Sequence, residues 1–430
     1  MTTYQIKEHE KLPNEISPCE RKEKYNNKNI FKWDKLQQGD VWGYYAYYRI
    51  GAEYIDKEKE TALVVTPKIK KIDWAKMFMY CFSSAEEQNS FSEIYDIDFD
   101  QKPIETNAFK GVLTPLLLFH FVSTVKKITS KGLKKGYVNR EENLHKVKGR
   151  IDFLQNFRKN VLLKREERVF CRYNEYSEDI RENRLIKKAL LFCERMFNVI
   201  SKGTNNKFSD VQTTLNQCIS AFDNVSDDIE YWEVKYTKSH KLYKEYDVAI
   251  KLAKMILRRY SFNIHNVENS KQEQTVPVFW IDMSLLYEHY VLGLLRETYG
   301  NQIIYQKGFR VGIPDFLFKG EKEKLILDTK YKPRYDGDRK ISKDNIWQLA
   351  GYARSRKLME ALGIKEEKEQ NKTILPCVII YPKDPEKDKT IISHKDFKNI
   401  DSLIDENIVQ KETDIVEFYK LCVELPTLSK

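Results

Sequence analysis

"GIPDFLFKGEKEKLILDTKYKP", residues Gly312 to Pro333, decides how the C-terminal third of this chain folds. Two apolar runs, "FLF" and "LIL", flank the polar turn "KGEKEK", which is the pattern of a hairpin. Strand parity puts Ile313, Asp315 and Leu317 on one face of the first run, and Ile326, Asp328 and Lys330 on one face of the second. Two carboxylates and a lysine therefore stand where the pattern calls for Val, Ile or Leu. Across such a hairpin the aspartates lie close together, and like charges at that range repel unless something neutralises them. A divalent cation does so, and hard oxygen ligands select Mg²⁺, with Mn²⁺ as its substitute.

The spacing assigns roles. Asp315 and Asp328 are candidate metal ligands, and the backbone carbonyl of Thr329 is a further one. Lys330, two residues beyond Asp328, can hold a water near the metal or stabilise charge on a pentavalent phosphorus, as phosphodiester hydrolysis requires. One helix earlier, Leu285, Glu288, Leu292 and Leu295 recur at steps of three, four and three, so Glu288 interrupts an apolar stripe. A carboxylate there needs a partner, which either the metal site or a buried salt bridge supplies.

Around the hairpin the chain reads as an α/β unit: helix, hairpin, helix, strand. The first helix, "IDMSLLYEHYVLGLLRETYG", ends at Gly300 as C-cap. A second surrounds "NIWQLAGYARSRKLMEAL", and "ILPCVIIYP" (Ile374 to Pro382) is a strand. The N-terminal third reads as strands in "GDVWGYYAYYRIGAEYI" and "TALVVTPKI", where Trp42, Tyr44, Tyr45, Tyr47 and Tyr48 either stack on nucleobases or fill a sheet core. Helices follow over Lys70 to Phe82 and Gly111 to Ile128. From Lys126 to Arg168 basic residues outnumber the acids Glu141, Glu142, Asp152, Glu166 and Glu167, giving a phosphate-facing surface or a solvated one. Ser177 is placed as N-cap of a helix whose buried stripe is Ile186, Leu190, Cys193, Phe197 and Ile200. Another helix, Leu242 to Tyr260, buries Ala249, Ile250, Ala253 and Ile256 or Leu257, and Ser261 to Thr275 reads as a linker or exposed loop.

The totals bound the class. At 430 residues, two or three domains are expected. A hydrophobic fraction of 41% excludes a disordered chain, and the formal charge of +10 suggests a polyanionic partner. Seven scattered cysteines, none in C-x-x-C spacing, disfavour disulfide scaffolds, zinc knuckles and iron–sulfur clusters, which fits a reducing cytoplasm. The N-terminus lacks a signal-peptide core, and the longest apolar stretch, Leu113 to Val122, is too short for a bilayer. No G-x-x-x-x-G-K-[ST] occurs, so no P-loop nucleotide site is encoded.

Six blocks now stand in order: "VVTPKI", "KGLKKGYVNREENLHKVKGRID", "EDIRENRLIKKAL", "FWIDMSLLYEHYVLGLL", "PDF" with "LDTKYK", and "IWQLAGYA". Together they resemble the PD-(D/E)xK nuclease superfamily and, more narrowly, the McrC-like subunits of McrBC-type, 5-methylcytosine-dependent restriction systems. The resemblance implies a DNA endonuclease subunit that works with a McrB-like AAA+ GTPase hexamer on modified double-stranded DNA. Its catalytic pattern falls on Asp315, Asp328 and Lys330, with Glu288 as the helix acid. Gln348 and Tyr352 match a Q-x-x-x-Y pattern shared with RecB-like nucleases, where that helix contacts DNA; ordinary helix-surface packing is the other reading.

The expected fold class is α+β multidomain. It comprises an N-terminal tail (1–29), a β-rich domain for partner docking (30–150), a basic segment with helical connector (151–275), and a PD-(D/E)xK nuclease domain (276–430). The charged stretch "KEEKEQNK" (Lys365 to Lys372) has no counterpart in the family pattern. Two other functions remain open: a self-standing RecB- or Cas4-like exonuclease, and a non-catalytic adaptor that binds DNA or activates a partner.

Overall fold

The computed structural model describes residues 2–13, 31–34, 43–56, 60–69, 71–83, 93–98, 101–109, 112–201, 209–234, 243–260, 275–306, 312–332, 341–383, 393–395, 397, 402–405, 409–412 and 414–427. Trp42, the side chain of Ile200 and residues 261–274 of the expected linker lie outside the described residues, and the last residue of that linker, Thr275, instead opens a strand. The chain divides into two compact units, one made of Met1–Leu116 with Glu273–Lys430, the other of Leu117–Gln272.

The first unit begins with β1 (Thr2–Lys7), β2 (Phe31–Asp34), β3 (Gly43–Ala46), β4 (Arg49–Asp56) and β5 (Thr61–Thr66). Residues 2–7, expected within a tail, instead form β1, whose parallel pairing runs from Thr2↔Thr61 to Lys7↔Thr66. Ile6 of β1 is buried with Leu12, Leu63 and Val65, which is what holds this edge strand down. The aromatic stretch takes the core reading at Tyr45, which is buried, while Tyr47 and Tyr48 form edge contacts with His9. Next come α1 (Trp74–Ser83), β6 (Tyr95–Asp98) and β7 (Ile104–Glu105); α2 (Leu113–Lys131) starts in this unit and belongs to the second from Leu117 on.

In the second unit β8 (Gly136–Leu144), β9 (Arg150–Ile151) and β10 (Val169–Ser177) form a sheet of order β8-β10-β9, with β8 and β10 antiparallel over their full lengths. Helices α3 (Arg181–Ser201), α4 (Ser209–Ser220) and α5 (Lys244–Tyr260) follow. Ser177 is not the N-cap of α3. It is the last residue of β10, its hydroxyl accepts from the Asp179 N–H, and the helix starts at Arg181. The stripe Ile186, Leu190, Cys193 and Phe197 is buried, as are Ala249, Ile250, Ala253, Ile256 and Leu257. Several bases of the 126–168 stretch pair with acids, among them Lys134 with Glu182 and Arg140 with Asp179. The stretch also exposes Phe153, Leu154, Phe157, Leu162 and Leu163, which its charge pattern did not announce.

The chain then returns to the first unit with β11 (Thr275–Val276), β12 (Val278–Asp282) and α6 (Met283–Tyr299). Strand β12 inserts between β4 and β6, giving the order β1-β5-β4-β12-β6. Gly51 of β4 permits that pairing: a Cβ there would stand 2.0 Å from the Phe279 carbonyl oxygen. The opening of the segment 276–430 thus completes a sheet begun in the segment 30–150.

The second sheet of this unit contains β13 (Ile303–Tyr305), β14 (Phe316–Lys319), β15 (Lys324–Thr329), β16 (Cys377–Pro382), β17 (Ser393–His394), β18 (Gln410–Lys411) and β19 (Phe418–Val423). Its order is β13-β14-β15-β16-β19-β17, with β18 paired to β19. Strands β13 to β15 are antiparallel neighbours, whereas β15, β16 and β19 run parallel. Every residue of β16 and β19 is buried, the continuous pattern of strands covered on both faces. The helix expected around "NIWQLAGYARSRKLMEAL" is two, α7 (Lys343–Ala353) and α8 (Arg356–Ala361), broken at Arg354 and Ser355. Their Leu349, Tyr352, Leu358 and Met359 pack in one core with Leu317, Ile326 and Ile379.

Both α-helices and β-sheets build the chain, in keeping with the α+β reading. Among the described residues no helix is long and apolar enough to cross a membrane. The stretch Lys365 to Lys372 holds a short helical turn, Glu367–Gln370, anchored by Gln370 Nε2 donating to the Ile364 carbonyl.

Candidate functional site

The hairpin forms in the expected register, with Phe316 opposite Leu327 and Leu317 opposite Ile326. One step further, that register sets Asp315 against Asp328. Both inherit the parity of the Leu317–Ile326 pair, which faces the core beneath α7. Asp328 is only 1% exposed, and Asp315 is half-buried. Lys330 forms an ion pair with Asp328 Oδ2, yet that buried oxygen has no well-formed hydrogen bond.

Thr329 does something the sequence did not suggest. Its backbone N–H and its hydroxyl both donate to Asp315 Oδ2, at 2.6 Å each, and so fix the carboxylate that the opposite strand carries. Gln306 is a second unforeseen participant, just past β13. Its N–H donates to the Asp315 carbonyl at 3.0 Å, and its side-chain amide donates to Glu288 Oε1 at 2.8 Å. Its φ of +41° is uncommon for a residue other than glycine, the one local signal of an imposed conformation. No hydrophobic pattern could have marked it.

Glu288 is carried by α6, which Asp282 caps by accepting from the N–H groups of Ser284 and Leu285, and which ends at Gly300. The helix is buried nearly all round, and Glu288 lies half-buried on its more open edge. Burial, then the charge of Asp315, push the Glu288 carboxyl up to about 8. Burial and Asp315 push Asp328 up to about 7 against the pull of Lys330. Burial also raises Asp315, opposed by Lys330 and the Thr329 hydrogen bonds. Three acids thus share one electrostatic field, opposed at Asp328 by Lys330 and Lys332. Among the described residues no three His, Cys, Asp or Glu side chains converge tightly enough to hold a metal ion unaided.

Gln348 and Tyr352 share a face of α7, where Gln348 Nε2 donates to Tyr352 Oη at 3.1 Å. The Tyr352 hydroxyl donates to the Ile313 carbonyl at 3.3 Å, and its ring lies against Gly312, where a Cβ would come within 2.7 Å of it. Gly312 also has a φ of +126°, which a side chain would strain. Tyr352 is therefore tied to the chain leading into Asp315, while Gln348 is exposed.

The family model of the McrBC 5-methylcytosine restriction system component matches residues 50–362. The chain belongs to this family. The match takes in every candidate site residue, from Glu288 to Tyr352, and stops short of β16. Among solved structures, a half-complex from the tetradecameric assembly of Thermococcus gammatolerans McrB AAA+ hexamers with bound McrC is 15% identical. That likeness covers 99% of this chain and 95% of that chain, at a TM-score of 0.37. The cryo-EM structure of the Thermococcus gammatolerans McrBC complex is 14% identical over 68% of this chain and 87% of that chain, at a TM-score of 0.28. Both scores are low, and membership rests on the family model. No curated protein matches.

Proposed function

We propose that this McrBC family member is the nuclease subunit of its restriction system, a Mg²⁺-dependent DNA endonuclease of the PD-(D/E)xK type. The observation that carries the reading is the placement of Asp315 against Asp328 inside an apolar hairpin, with Lys330 paired to Asp328. A structural carboxylate would be expected to be held charged by its donors; Asp328 instead is buried beside a second acid, whose charge and burial outweigh the pull of Lys330 and Lys332. Hard oxygen donors crowded in this way fit Mg²⁺ or Mn²⁺.

Asp315 and Asp328 would hold the ion, with the Thr329 carbonyl and water supplying further oxygens and Glu288 completing the acidic side. Bound there, the ion would polarise the scissile phosphate and acidify water. Thr329 keeps Asp315 in one orientation, and Gln306 does the same for Glu288. Lys330 can move its ammonium from Asp328 to a water or a phosphoryl oxygen as negative charge accumulates there. Gln348 and Tyr352 would lie beside the DNA. The missing P-loop assigns nucleotide hydrolysis to a partner, a McrB-like AAA+ GTPase hexamer, with the N-terminal strands as the docking element.

The test is cleavage of methylated and unmethylated plasmid by the full-length protein with Mg²⁺, alone and with the AAA+ protein plus GTP, against Asp328→Ala. Cutting that requires partner, GTP and Asp328 is the expected result. Cutting by the protein alone would favour a self-standing exonuclease, and restriction that survives Asp328→Ala would favour an adaptor.

A further inference from the structure

Strand β15 ends at Thr329, so Lys330 stands on chain that has left the regular ladder. Its own N–H still donates to the Ile380 carbonyl at 2.9 Å. The next residue, Tyr331, is held from elsewhere. Lys68, two residues beyond the end of β5, donates from Nζ to the Tyr331 carbonyl at 2.9 Å and sits 3.9 Å from the centre of its ring. The same ammonium lies 3.2 Å from His9 Nε2 and 4.9 Å from the centre of the Tyr48 ring. The Lys68 N–H donates to Glu8 Oε2 at 3.0 Å, and the Tyr331 hydroxyl reaches that oxygen at 3.5 Å. Glu8 and Tyr331 are both 3% exposed. On its other side the Tyr331 ring meets Tyr287, the residue before Glu288 on α6.

We propose that Lys68 is a positioning residue for Lys330, acting through Tyr331, so that the N-terminal sheet sets the geometry of the nuclease centre. The inference rests on the nuclease reading above. Its physical content is that one ammonium grips both the carbonyl and the ring of the residue adjoining Lys330. A backbone carbonyl and an aromatic face together fix position and orientation, which one hydrogen bond would not do. Glu8 locks the other end of the grip, because it binds Lys68 through its main chain. This gives the "VVTPKI" block a function beyond its strand: it delivers Lys68. A force that displaces the N-terminal sheet is thereby transmitted through the Lys68–Tyr331 hydrogen bond and cation–π contact to the main chain next to Lys330.

The experiment uses the full-length protein with its AAA+ partner and compares wild type, Lys68→Met and Lys68→Arg. Cleavage kinetics are read beside the NMR signal of ¹³C-methylated Lys330, assigned by its loss in Lys330→Arg. Lys68→Met should lower kcat by about 10- to 100-fold with KM for DNA unchanged. It should also shift the Lys330 signal, and Lys68→Arg should restore most of both. A folded Lys68→Met whose Lys330 signal stays in place overturns the proposal, whatever happens to the rate. If melting shows Lys68→Met to be unfolded, Tyr331→Leu, which deletes the aromatic face that Lys68 grips, takes its place; a shift of the same signal supports the proposal and an unmoved one overturns it. Should wild type cut no DNA, the nuclease reading fails, while the signal still decides whether Lys68 positions Lys330.

Discussion

Asp328 and Asp179 are both buried carboxylates, one in each unit, and their surroundings treat them oppositely. Asp179 accepts from Arg184 Nε at 2.7 Å and Nη2 at 2.6 Å, from Arg140 Nη2 at 3.1 Å and from the Ser226 N–H at 2.9 Å. Burial pushes its carboxyl up, but these donors more than offset that and hold it below its ordinary value. Asp328 is paired with Lys330, but burial and the charge of Asp315 outweigh the pull of Lys330 and Lys332, so its carboxyl rises. A fold that needs a buried charge only for structure satisfies it completely. A buried carboxyl raised by a second acid, as Asp328 is by Asp315, is what the proposed metal site would need.

The largest effect that could break this contrast is expected at Asp328. Asp328→Asn should reduce cleavage by about 10³-fold or more, since charge stabilisation at the phosphate depends on it. The metal-free variant should nevertheless melt no lower than wild type at pH 8, because a neutral amide removes repulsion from Asp315. A large fall in melting temperature would make Asp328 a structural residue.

The mirror experiment is Asp179→Asn. Removing one partner from a buried, multiply paired charge typically costs about 3–5 kcal/mol. Denaturant unfolding should show a loss of that order, while cleavage per folded molecule stays at the wild-type rate. A catalytic defect without instability would mean that the second unit contributes its own charge to the reaction.

Which of these features were legible beforehand follows from how local their causes are. The hairpin was readable because "FLF" and "LIL" state its parity, and parity carries Asp315 and Asp328 to one face. The end of α6 at Gly300 and the buried run of β16 were equally local. The insertion of β12 between β4 and β6 was not, because pairing between strands so far apart in the chain leaves no trace in either stretch. Strand β1 was missed for the same reason: its partner, β5, is remote. Thr329 and Gln306 escaped notice because their roles are hydrogen bonds to particular oxygens, not burial. The Ser177 cap was displaced because β10, held along β8 as far as Ser177↔Gly136, runs through Ser177 and the helix begins only at Arg181.

A smaller effect separates the two carboxylates by pH. Asp328 moves from 3.8 to about 7 in the folded protein, and Glu288 from 4.5 to about 8. Through that window the folded state keeps protons that the unfolded chain has released, so the metal-free protein loses stability as pH rises. Asp179 has the opposite sign: its contribution is present above 3.8 and is lost as pH falls through its lowered value. Melting in chelator should therefore decline from pH 5 to pH 8, with a shallower slope in Asp328→Asn. An unchanged slope in that variant would remove Asp328 from the cluster.

The smallest effect concerns the link between α7 and the chain entering Asp315. Tyr352→Phe deletes the hydroxyl that accepts from Gln348 and donates to the Ile313 carbonyl, and leaves the ring against Gly312. The bond to Ile313 is long, and the loss of the pair should cost about 0.5–1.5 kcal/mol, read as a cleavage rate within about tenfold of wild type. Ring and hydroxyl together fill the space that Gly312 leaves open, and Phe keeps the ring's share of it. A much larger loss in kcat would place the Tyr352 hydroxyl on the DNA or the reacting phosphate. An unchanged kcat with a raised KM would place Gln348, released from its partner, at the DNA backbone, and the Asp315 approach would then be held by ring packing alone.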